Sequence, residues 1–338
     1  MASPIPIPFD PELVPILERF GKGAPLSKET LGRLRMIVNG KSTAENVLID
    51  PAITHEARTI QGPDPGQLLE VAILRHKDAP ETTTPFAAVY FVHGGGLIAG
   101  TRFSDITPFF GWIKIHHIVF VSIEYRLAPE HPYPAGFNDC YTGLKWLLTP
   151  TTTTELNIDP RHIILAGTSA GGGLAAALAL RLRDEHGGEP DANQLMALCL
   201  LCPMLDHTTK TMSCQQYMHK GLWTGASNRA AWDMYLEKLR QGGEDDTPVY
   251  ASPGLALDVR GLPPTFIDVG SAEPFRDEDI AFGQKLSQHG VSVELHVWPG
   301  GWHGFDQLVP TAQVSQDCVR TRLSWLRRVL GAAEASVV

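Results

Sequence analysis

The feature that most constrains the fold of this 338-residue chain is an alternation of short apolar segments with helix-like segments. The apolar segments, rich in β-branched and aromatic residues, are 86–92, 118–125, 163–166, 195–201, 265–269 and 291–297. The helix-like segments, with apolar residues three and four positions apart, are 138–148, 170–186, 276–289 and 314–330. Apolar strands that alternate with helices are typical of a mostly parallel sheet with helices on both faces. The sequence therefore predicts an α/β fold.

Two regions interrupt the alternation and look helical: an N-terminal segment, residues 1–50, and an insertion, residues 206–249. The insertion is rich in Met and aromatic residues, namely Met212, Tyr217, Met218, Trp223, Trp232, Met234 and Tyr235. Insertions of this kind commonly cover an apolar pocket. We therefore expect both regions to form a helical cap over a core built from residues 51–205 and 250–338. An added helical layer without a role in substrate binding is the alternative.

Charge and composition exclude several classes of partner. The chain has 28 Lys and Arg against 37 Asp and Glu, a net charge of −9, which disfavours nucleic acid and anionic membranes. A long uncharged stretch, residues 163–180, contains four Gly and is a poor candidate for membrane insertion. The N-terminus is rich in Pro and lacks the basic start and apolar stretch of a signal peptide. These features predict a soluble, cytoplasmic protein.

The five cysteines, an odd number, favour free thiols in a reducing compartment over a disulfide framework. Cys199 and Cys202 form a C-x-x-C pattern within or next to an apolar, strand-like segment. Because strand positions three apart point to opposite faces, we expect two buried thiols and no redox or zinc pair.

A run of four threonines, Thr151 to Thr154, is the low-complexity patch of the sequence. It follows Pro150 and separates a helix-like segment from a strand-like one. This position and composition predict a surface loop.

A candidate nucleophile lies in the pentapeptide Gly167-Thr168-Ser169-Ala170-Gly171. It follows a strand-like segment and opens an Ala-rich helix, which is the context that a G-x-S-x-G nucleophile turn requires. Glycines on both sides let strand and helix approach closely while the Ser169 hydroxyl projects from the turn. The alternative is a Gly-rich turn whose serine has no catalytic role.

A candidate oxyanion hole follows another strand-like segment, at His93-Gly94-Gly95-Gly96. Backbone N–H groups of Gly95 and Gly96, together with that of Ala170, are expected to face a developing oxyanion, and Gly94 could share the role. We expect His93 to hold this loop by hydrogen bonding. A phosphate-binding or merely flexible loop is the alternative, although the G-K-[ST] and G-x-G-x-x-G continuations are missing.

A serine nucleophile needs a base, which is oriented in turn by an acid. His303 follows the last strand-like segment in a Gly-bounded loop, and Glu273 follows the penultimate one. Asp277, Glu278 and Asp279 fit an acidic first helical turn that complements the helix dipole. Glu273 is therefore the candidate acid, with Asp277 as the alternative.

These segments, spanning roughly residues 85–310, resemble the hormone-sensitive-lipase group of α/β-hydrolase esterases, with its HGGG loop and GxSxG turn. The stretch YRLAPEHPYPA, residues 125–135, is similar to the YRLAPEHPFPA of that group. Members with a DPLRDE stretch use its first Asp as the acid of the triad, and this chain has EPFRDE at 273–278. The resemblance implies an α/β-hydrolase fold, a cap above the nucleophile, and Glu273 in place of that Asp.

We therefore expect a serine carboxylic ester hydrolase for short- or medium-chain acyl esters or small aryl esters, without metal or organic cofactor. An amidase, a carbamate or lactone hydrolase or an arylformamidase could use the same triad. A non-catalytic small-molecule receptor is a remote alternative, because plant gibberellin receptors resemble this group but have lost the catalytic His. The helix predicted at 314–330 ends in apolar residues and could form a homodimer or cover its own sheet.

Overall fold

The computed structural model describes residues 4–20, 25–80, 82–187, 195–241 and 247–335. Its strands form an eight-stranded sheet in the order β1-β2-β4-β3-β5-β6-β7-β8. β1 and β2 are antiparallel, as are β2 and β4, and all other neighbouring pairs are parallel. The predicted α/β fold with a mostly parallel sheet is thus confirmed. The strands are β1 Ile53–Gln61, β2 Leu68–His76, β3 Phe86–Val92, β4 Val119–Ile123, β5 Ile158–Thr168, β6 Ala197–Leu201, β7 Thr265–Gly270 and β8 Val293–Trp298.

Helices flank the sheet, and further helices lie in the two regions that interrupt the alternation of strands and helices, residues 1–50 and 206–249. None of the described helices combines the length and the apolar character that a membrane span needs. The helices are α1 Val14–Phe20, α2 Leu31–Lys41, α3 Ala44–Val47, α4 Phe110–His116, α5 Ala135–Leu147, α6 Pro150–Glu155, α7 Ala170–Glu185, α8 Met212–Gln216, α9 Gly225–Tyr235, α10 Glu237–Gln241, α11 Arg276–Gln288, α12 Phe305–Leu308 and α13 Gln313–Ala335.

The sheet is buried on both faces, which explains why its parallel strands are almost continuously apolar. In β3, Tyr90 and Val92 belong to the cluster that includes residues of α5, α7 and α11, whereas Val89 and Phe91 belong to the cluster with α4 and α13. All four side chains are fully buried. Each contributes about 1.5–3 kcal/mol of transfer free energy by leaving water.

The sheet topology gathers the candidate site residues. Residues 93–96 directly follow β3, Ser169 directly follows β5, Glu273 follows β7 and His303 follows β8. Because these four strands are parallel, the loops after them leave the same edge of the sheet. Residues from four distant parts of the sequence therefore meet at one place.

The N-terminal segment and the insertion contact each other. The Gln216 side chain donates to the carbonyl of Ile5 at 2.6 Å, and the Tyr217 hydroxyl donates to that of Ile7 at 2.7 Å. Lys28 forms an ion pair with Glu237 at 2.7 Å. Residues 1–3, 21–24 and 242–246 of the predicted cap lie outside the described part of the chain. The division into core and cap stays a prediction.

The surface loop predicted at Thr151 to Thr154 is wrong, because these residues belong to helix α6. The Thr149 side chain accepts a hydrogen bond from the N–H of Thr152 at 3.3 Å and so caps the helix. Pro150 occupies the first turn, where its missing N–H has no cost. Thr152 and Thr153 are buried. Capping and tertiary burial thus outweigh the low helix propensity of threonine.

The five cysteines are unpaired and buried. As expected for a strand, Cys199 packs in the cluster on the α4 and α13 side of the sheet, and Cys202 packs in the cluster on the α7 side. Burial raises the pKa of both thiols. Both thiols are therefore buried, as the sequence predicted.

Candidate active site

Ser169 lies in a strained turn between β5 and α7. Its backbone has φ 56° and ψ −122°, a conformation that non-glycine residues rarely adopt and that clusters at functional sites. The two flanking glycines have no room for a side chain: a Cβ on Gly167 would lie 2.2 Å from the carbonyl oxygen of Gly171. A Cβ on Gly171 would lie 2.0 Å from that of Val92. The predicted need for small residues at these positions therefore follows from backbone contacts.

His303 connects Ser169 to Glu273. Its Nε2 lies 2.9 Å from Ser169 Oγ, and its Nδ1 lies 2.5 Å from Glu273 Oε2. Because a carboxylate only accepts hydrogen bonds, Nδ1 carries the proton in a neutral His303. Nε2 is then free to accept the proton of the Ser169 hydroxyl. The structure thus brings together the three residues that the sequence analysis proposed.

Glu273 is held in place from its other oxygen. The carboxylate is 1% exposed, and its Oε1 accepts the N–H of Gly270 at 2.9 Å. The alternative acid, Asp277, points elsewhere: its Oδ2 accepts the N–H of Ser213 at 2.7 Å and its Oδ1 accepts from Arg276 Nε at 2.7 Å. The structure therefore brings Glu273 to His303 and connects Asp277 to the insertion.

The loop formed by residues 93–96 leaves two N–H groups available. Within the described residues, no group accepts a hydrogen bond from the N–H of Gly95, Gly96 or Ala170. Gly95 has φ 110°, and a Cβ there would lie 2.0 Å from the carbonyl oxygen of Ala99. The N–H of Gly94, by contrast, donates to Asp105 Oδ2 at 3.0 Å. Gly94 therefore does not share the role that the sequence left open for it.

His93 is buried beneath this loop. Its Nδ1 lies 2.8 Å from the carbonyl oxygen of Gly94, and its ring stacks on Tyr125 with centroids 4.2 Å apart. The Tyr125 hydroxyl donates to the carbonyl of His93 at 2.9 Å. Burial lowers the pKa of His93, so its ring stays neutral at neutral pH. These contacts support the predicted positioning role.

Asp105 is a site residue that the sequence analysis missed. It is eleven residues from Gly94, in a non-glycine left-handed conformation with φ 61°. A Cβ added to Gly94 would lie 2.6 Å from Asp105 Oδ2 and 3.2 Å from Ser169 Cβ, so the carboxyl group lies beside the nucleophile turn. Burial raises its pKa. The residue lies outside every recognised motif, so its sequence position carried no signal.

The insertion reaches the site through Trp223. A Cβ on Gly96 would lie 2.4 Å from the Trp223 ring, whose centroid is 6.4 Å from that of His303. On another side, the Phe275 ring contacts the His303 ring edge-on at 4.9 Å. The His303 side chain is 13% exposed. Aromatic rings thus exclude most water from the base.

The N-terminal segment packs on the loop that carries His303. Leu13 and Leu17 share a buried cluster with Trp302 and Phe305. The Trp302 indole donates to the carbonyl of Leu13 at 3.3 Å, and the N–H of Asp10 donates to the carbonyl of Gly300 at 3.0 Å. The residues on both sides of His303 are therefore fixed by the chain's own N-terminal segment.

A buried ion cluster joins the two strand ends that carry Glu273 and His303. Arg322 donates to Asp268 in β7 at 2.7 Å and to Asp306 in α12 at 2.5 Å. The charges of these partners raise the pKa of Arg322 well above its ordinary value despite its burial. These ion pairs fasten α12 to β7, and removal of one partner from a buried pair costs about 3–5 kcal/mol.

Cys202, Glu273 and His303 offer donor atoms within 4.8 Å of one another, a set that could hold a metal ion. Both ring nitrogens of His303 already have partners, and burial keeps the Cys202 thiol protonated by raising its pKa. Metal ligation would require breaking the Ser169 and Glu273 hydrogen bonds of His303. The hydrogen-bonded arrangement accounts for these residues without a metal.

Glu278 and Asp279 lie in the first turn of α11, as predicted, and both are buried. Glu278 Oε1 accepts the N–H groups of Leu205 at 2.7 Å and Asp206 at 3.2 Å. Neither oxygen of Asp279 has a partner among the described groups. Burial, reinforced by nearby Glu278, Glu273 and Asp268, raises the pKa of Asp279 well above its ordinary value.

Asp279→Asn is expected to stabilise the protein increasingly as the pH rises. The raised pKa means that the folded state binds a proton that the unfolded chain loses above about pH 4, so wild-type stability falls with rising pH in this range. The stability gained by the variant should grow by up to about 1.4 kcal/mol per pH unit until the folded-state pKa is reached.

Urea unfolding of both proteins at pH 5, 6, 7 and 8 measures this effect. Asp317→Asn is the control: Arg320 and Gln313 hold the pKa of the exposed Asp317 below its usual value, so Asp317 is ionised in the folded and unfolded states from pH 5 to 8 and the effect of this variant should not change with pH. A gain for Asp279→Asn that does not change with pH would contradict a buried, protonated Asp279.

Comparison with known proteins agrees with this geometry. Residues 89–307 match the family described as alpha/beta hydrolase fold. Carboxylesterase NlhH of Mycobacterium tuberculosis is 33% identical over 251 residues, covering 72% of this chain and 74% of that protein. Esterase LipI of the same species is 32% identical over 239 residues, covering 66% and 68%. The solved structure of a bacterial heroin esterase has a TM-score of 0.83 at 32% identity, covering 95% of this chain and 98% of that one.

The chain belongs to the alpha/beta hydrolase fold family, in its hormone-sensitive-lipase group of carboxylesterases. The resemblance noted from the HGGG and GxSxG segments is thereby confirmed. These relatives support a carboxylic ester hydrolase.

Proposed function

We propose that the protein hydrolyses short- or medium-chain acyl esters or small aryl esters through an acyl-enzyme intermediate formed on Ser169. The hydrogen-bonded series Glu273, His303, Ser169 is the observation that carries this proposal. Two features add support: the strained turn presents the serine, and the N–H groups of Gly95, Gly96 and Ala170 have no other acceptor among the described residues.

In the acylation step, Ser169 Oγ attacks the ester carbonyl carbon while its proton passes to His303 Nε2. The carbonyl π electrons move onto oxygen, where the N–H groups of Gly95, Gly96 and Ala170 stabilise the negative charge. Each such donor lowers the barrier by about 3–4 kcal/mol. Glu273 stabilises the imidazolium that forms, because its carboxylate accepts the Nδ1 proton in a hydrogen bond.

The tetrahedral intermediate then collapses. The bond from carbon to the leaving oxygen breaks, and the alkoxide takes the proton from His303 Nε2 as the alcohol departs. In deacylation, His303 accepts a proton from water, the hydroxide attacks the acyl carbonyl, and Ser169 leaves with the proton returned by His303. Free acid and unmodified enzyme result, so no metal or organic cofactor is needed to balance the reaction.

Hydrolysis of p-nitrophenyl esters from acetate to palmitate tests the proposal. We expect turnover with a maximum between butyrate and octanoate, and covalent labelling of Ser169 by an organophosphate, detected as a mass increase on its peptide. A folded protein that hydrolyses none of these esters and takes up no label would refute the proposal.

The same triad could cleave amides, carbamates or lactones, because it performs acyl transfer to water in general. A p-nitroanilide with the same acyl group as the best ester separates these activities. We expect the ester to be cleaved far faster, since p-nitrophenolate leaves more readily than p-nitroaniline. A non-catalytic receptor would bind such molecules without turnover. The hydrogen bond between His303 and Ser169 supports the catalytic alternative.

We further propose a cytoplasmic location, supported by the five unpaired, buried thiols. A homodimer through α13 also stays a proposal. Trp325 and Leu326 of this helix pack in the sheet cluster that contains Phe266, so coverage of the chain's own sheet already accounts for them. Light scattering after size-exclusion chromatography measures the oligomeric state.

A further inference from the structure

The segment that follows the candidate oxyanion hole, residues 97–100, has a strained backbone. Leu97 has φ 66°, in the left-handed region that non-glycine residues rarely adopt. Gly100 has φ 103°, and a Cβ there would lie 2.5 Å from the carbonyl oxygen of Gly94, so the segment folds back onto the start of the loop. A strained backbone persists only where the surrounding structure holds it. The N–H groups of the neighbouring oxyanion hole therefore depend on the contacts that residues 97–100 make.

Helix α2 of the N-terminal segment contacts residues 97–100 through two polar side chains. Arg35 Nε donates to the carbonyl of Ile98 at 2.7 Å, and Asn39 Oδ1 accepts the N–H of Gly100 at 2.8 Å. Because positions four apart lie on the same face of a helix, both contacts come from one face of α2. That face holds two backbone groups of the strained segment.

The Arg35 guanidinium also joins the strained segment to residues 128–130. Its Nη2 donates to the carbonyl of Ala128 at 2.8 Å, and Nη1 and Nη2 each bond one carboxylate oxygen of Glu130 at 2.7 Å. The N–H of Ala128 donates in turn to the carbonyl of Leu97 at 3.0 Å. A planar guanidinium fixes the directions of all these bonds, whereas the ammonium of a lysine could not make them together.

We propose that Arg35 and Asn39 are positioning residues for the oxyanion hole. By fixing the backbone of residues 97–100, they keep the N–H groups of Gly95 and Gly96 directed toward the carbonyl oxygen of the substrate. This inference rests on the proposed esterase function. It gives α2 a part in transition-state stabilisation, beyond the covering role expected of a cap.

Such a role has a kinetic signature. The negative charge on oxygen develops only as the tetrahedral intermediates form, so displaced N–H groups raise the barriers of acylation and deacylation and leave binding of the neutral ester nearly unchanged. We therefore expect kcat to fall while KM changes little. If α2 served only to attach the N-terminal segment, its variants would lower the unfolding temperature without changing kcat of the folded protein.

Asn39→Leu and Asn39→Asp form a matched pair. Leucine has a similar size and lacks the oxygen that accepts the N–H of Gly100, whereas aspartate retains it. With p-nitrophenyl butyrate we expect Asn39→Leu to lower kcat about tenfold, less than the loss of an entire oxyanion donor, with KM within about twofold of wild type. Asn39→Asp should restore kcat to within about threefold of wild type.

Arg35→Lys tests the other side chain. It retains the positive charge and loses the fixed geometry, so we expect kcat to fall about tenfold. Arg58→Lys is the matched control. The side chain of Arg58 is 22% exposed against 25% for Arg35, and it pairs with Glu56 and Glu155, away from the oxyanion loop. Its kcat should stay at the wild-type value.

Inhibition by an alkyl trifluoromethyl ketone gives a second readout, because a serine hydroxyl adds to such a ketone and forms a tetrahedral oxyanion. The inhibition constant should rise in Asn39→Leu and Arg35→Lys by about the factor that kcat falls. Unchanged kcat and inhibition in folded Arg35→Lys and Asn39→Leu, or equal losses in Asn39→Leu and Asn39→Asp, would overturn the inference. Wild type is measured in the same assays, so a lack of turnover there would refute the proposed function itself.

Discussion

Ser169→Ala is expected to lower kcat for ester hydrolysis by at least about 10⁴-fold and to leave the fold intact. In the proposed mechanism Ser169 Oγ forms the acyl-enzyme, and within the described residues no other side chain is hydrogen-bonded to His303 Nε2. The hydroxyl has no capping role in α7, and alanine retains the Cβ that the turn already accommodates. Residual activity would come from the oxyanion hole and substrate binding alone.

The measurement combines p-nitrophenyl butyrate hydrolysis with circular dichroism and thermal unfolding of the same samples. Ser122→Ala is the matched control: Ser122 is fully buried in β4, and its hydroxyl has no partner among the described groups. It removes the same atom away from the site and should leave turnover close to wild type. If folded Ser169→Ala kept more than a few per cent of wild-type kcat, another residue would be the nucleophile.

The sequence predicted those parts of the site whose chemistry depends on local backbone geometry. Gly167 and Gly171 are required by backbone contacts of 2.2 and 2.0 Å, so the motif itself reports the strained turn. The loop that contains Gly95 and the Gly-bounded loop that contains His303 were predicted in the same way, because each follows a strand in the sequence. Each of these signals lies within a few residues of the group it positions.

Features that depend on distant contacts could not be predicted in this way. Asp105 lies in a turn that no motif marks, and its carboxyl group accepts the N–H of Gly94. That hydrogen bond is why Gly94 does not contribute to the candidate oxyanion hole. The edge strand β1 was missed because most of its side chains are exposed, which leaves no apolar run to detect. The buried environment of Asp279 depends on the packing of α11, which its place in an acidic first helical turn does not report.

Glu273→Gln is expected to lower kcat by about 10³- to 10⁴-fold, because the amide disturbs the proton arrangement on His303. Glu273 Oε1 accepts the N–H of Gly270, so the glutamine oxygen is drawn to that position. Its NH₂ group then faces Nδ1 and, as a donor, favours the tautomer with the proton on Nε2. In that tautomer His303 can no longer accept the proton of Ser169. Stopped-flow acylation by p-nitrophenyl acetate measures the loss directly.

Asp277→Asn separates the two candidate acids. Asp277 contacts Ser213 and Arg276, so its amide variant should weaken the attachment of the insertion to α11. We expect KM to change more than kcat, and each of them to change by less than about tenfold. Both substitutions replace a carboxylate with an amide, at positions four residues apart. A larger loss of kcat in Asp277→Asn than in Glu273→Gln would transfer the acid to Asp277. That result would also require Asp277 to leave Ser213 and approach His303 in the working enzyme, which the buried contact of Glu273 with His303 opposes.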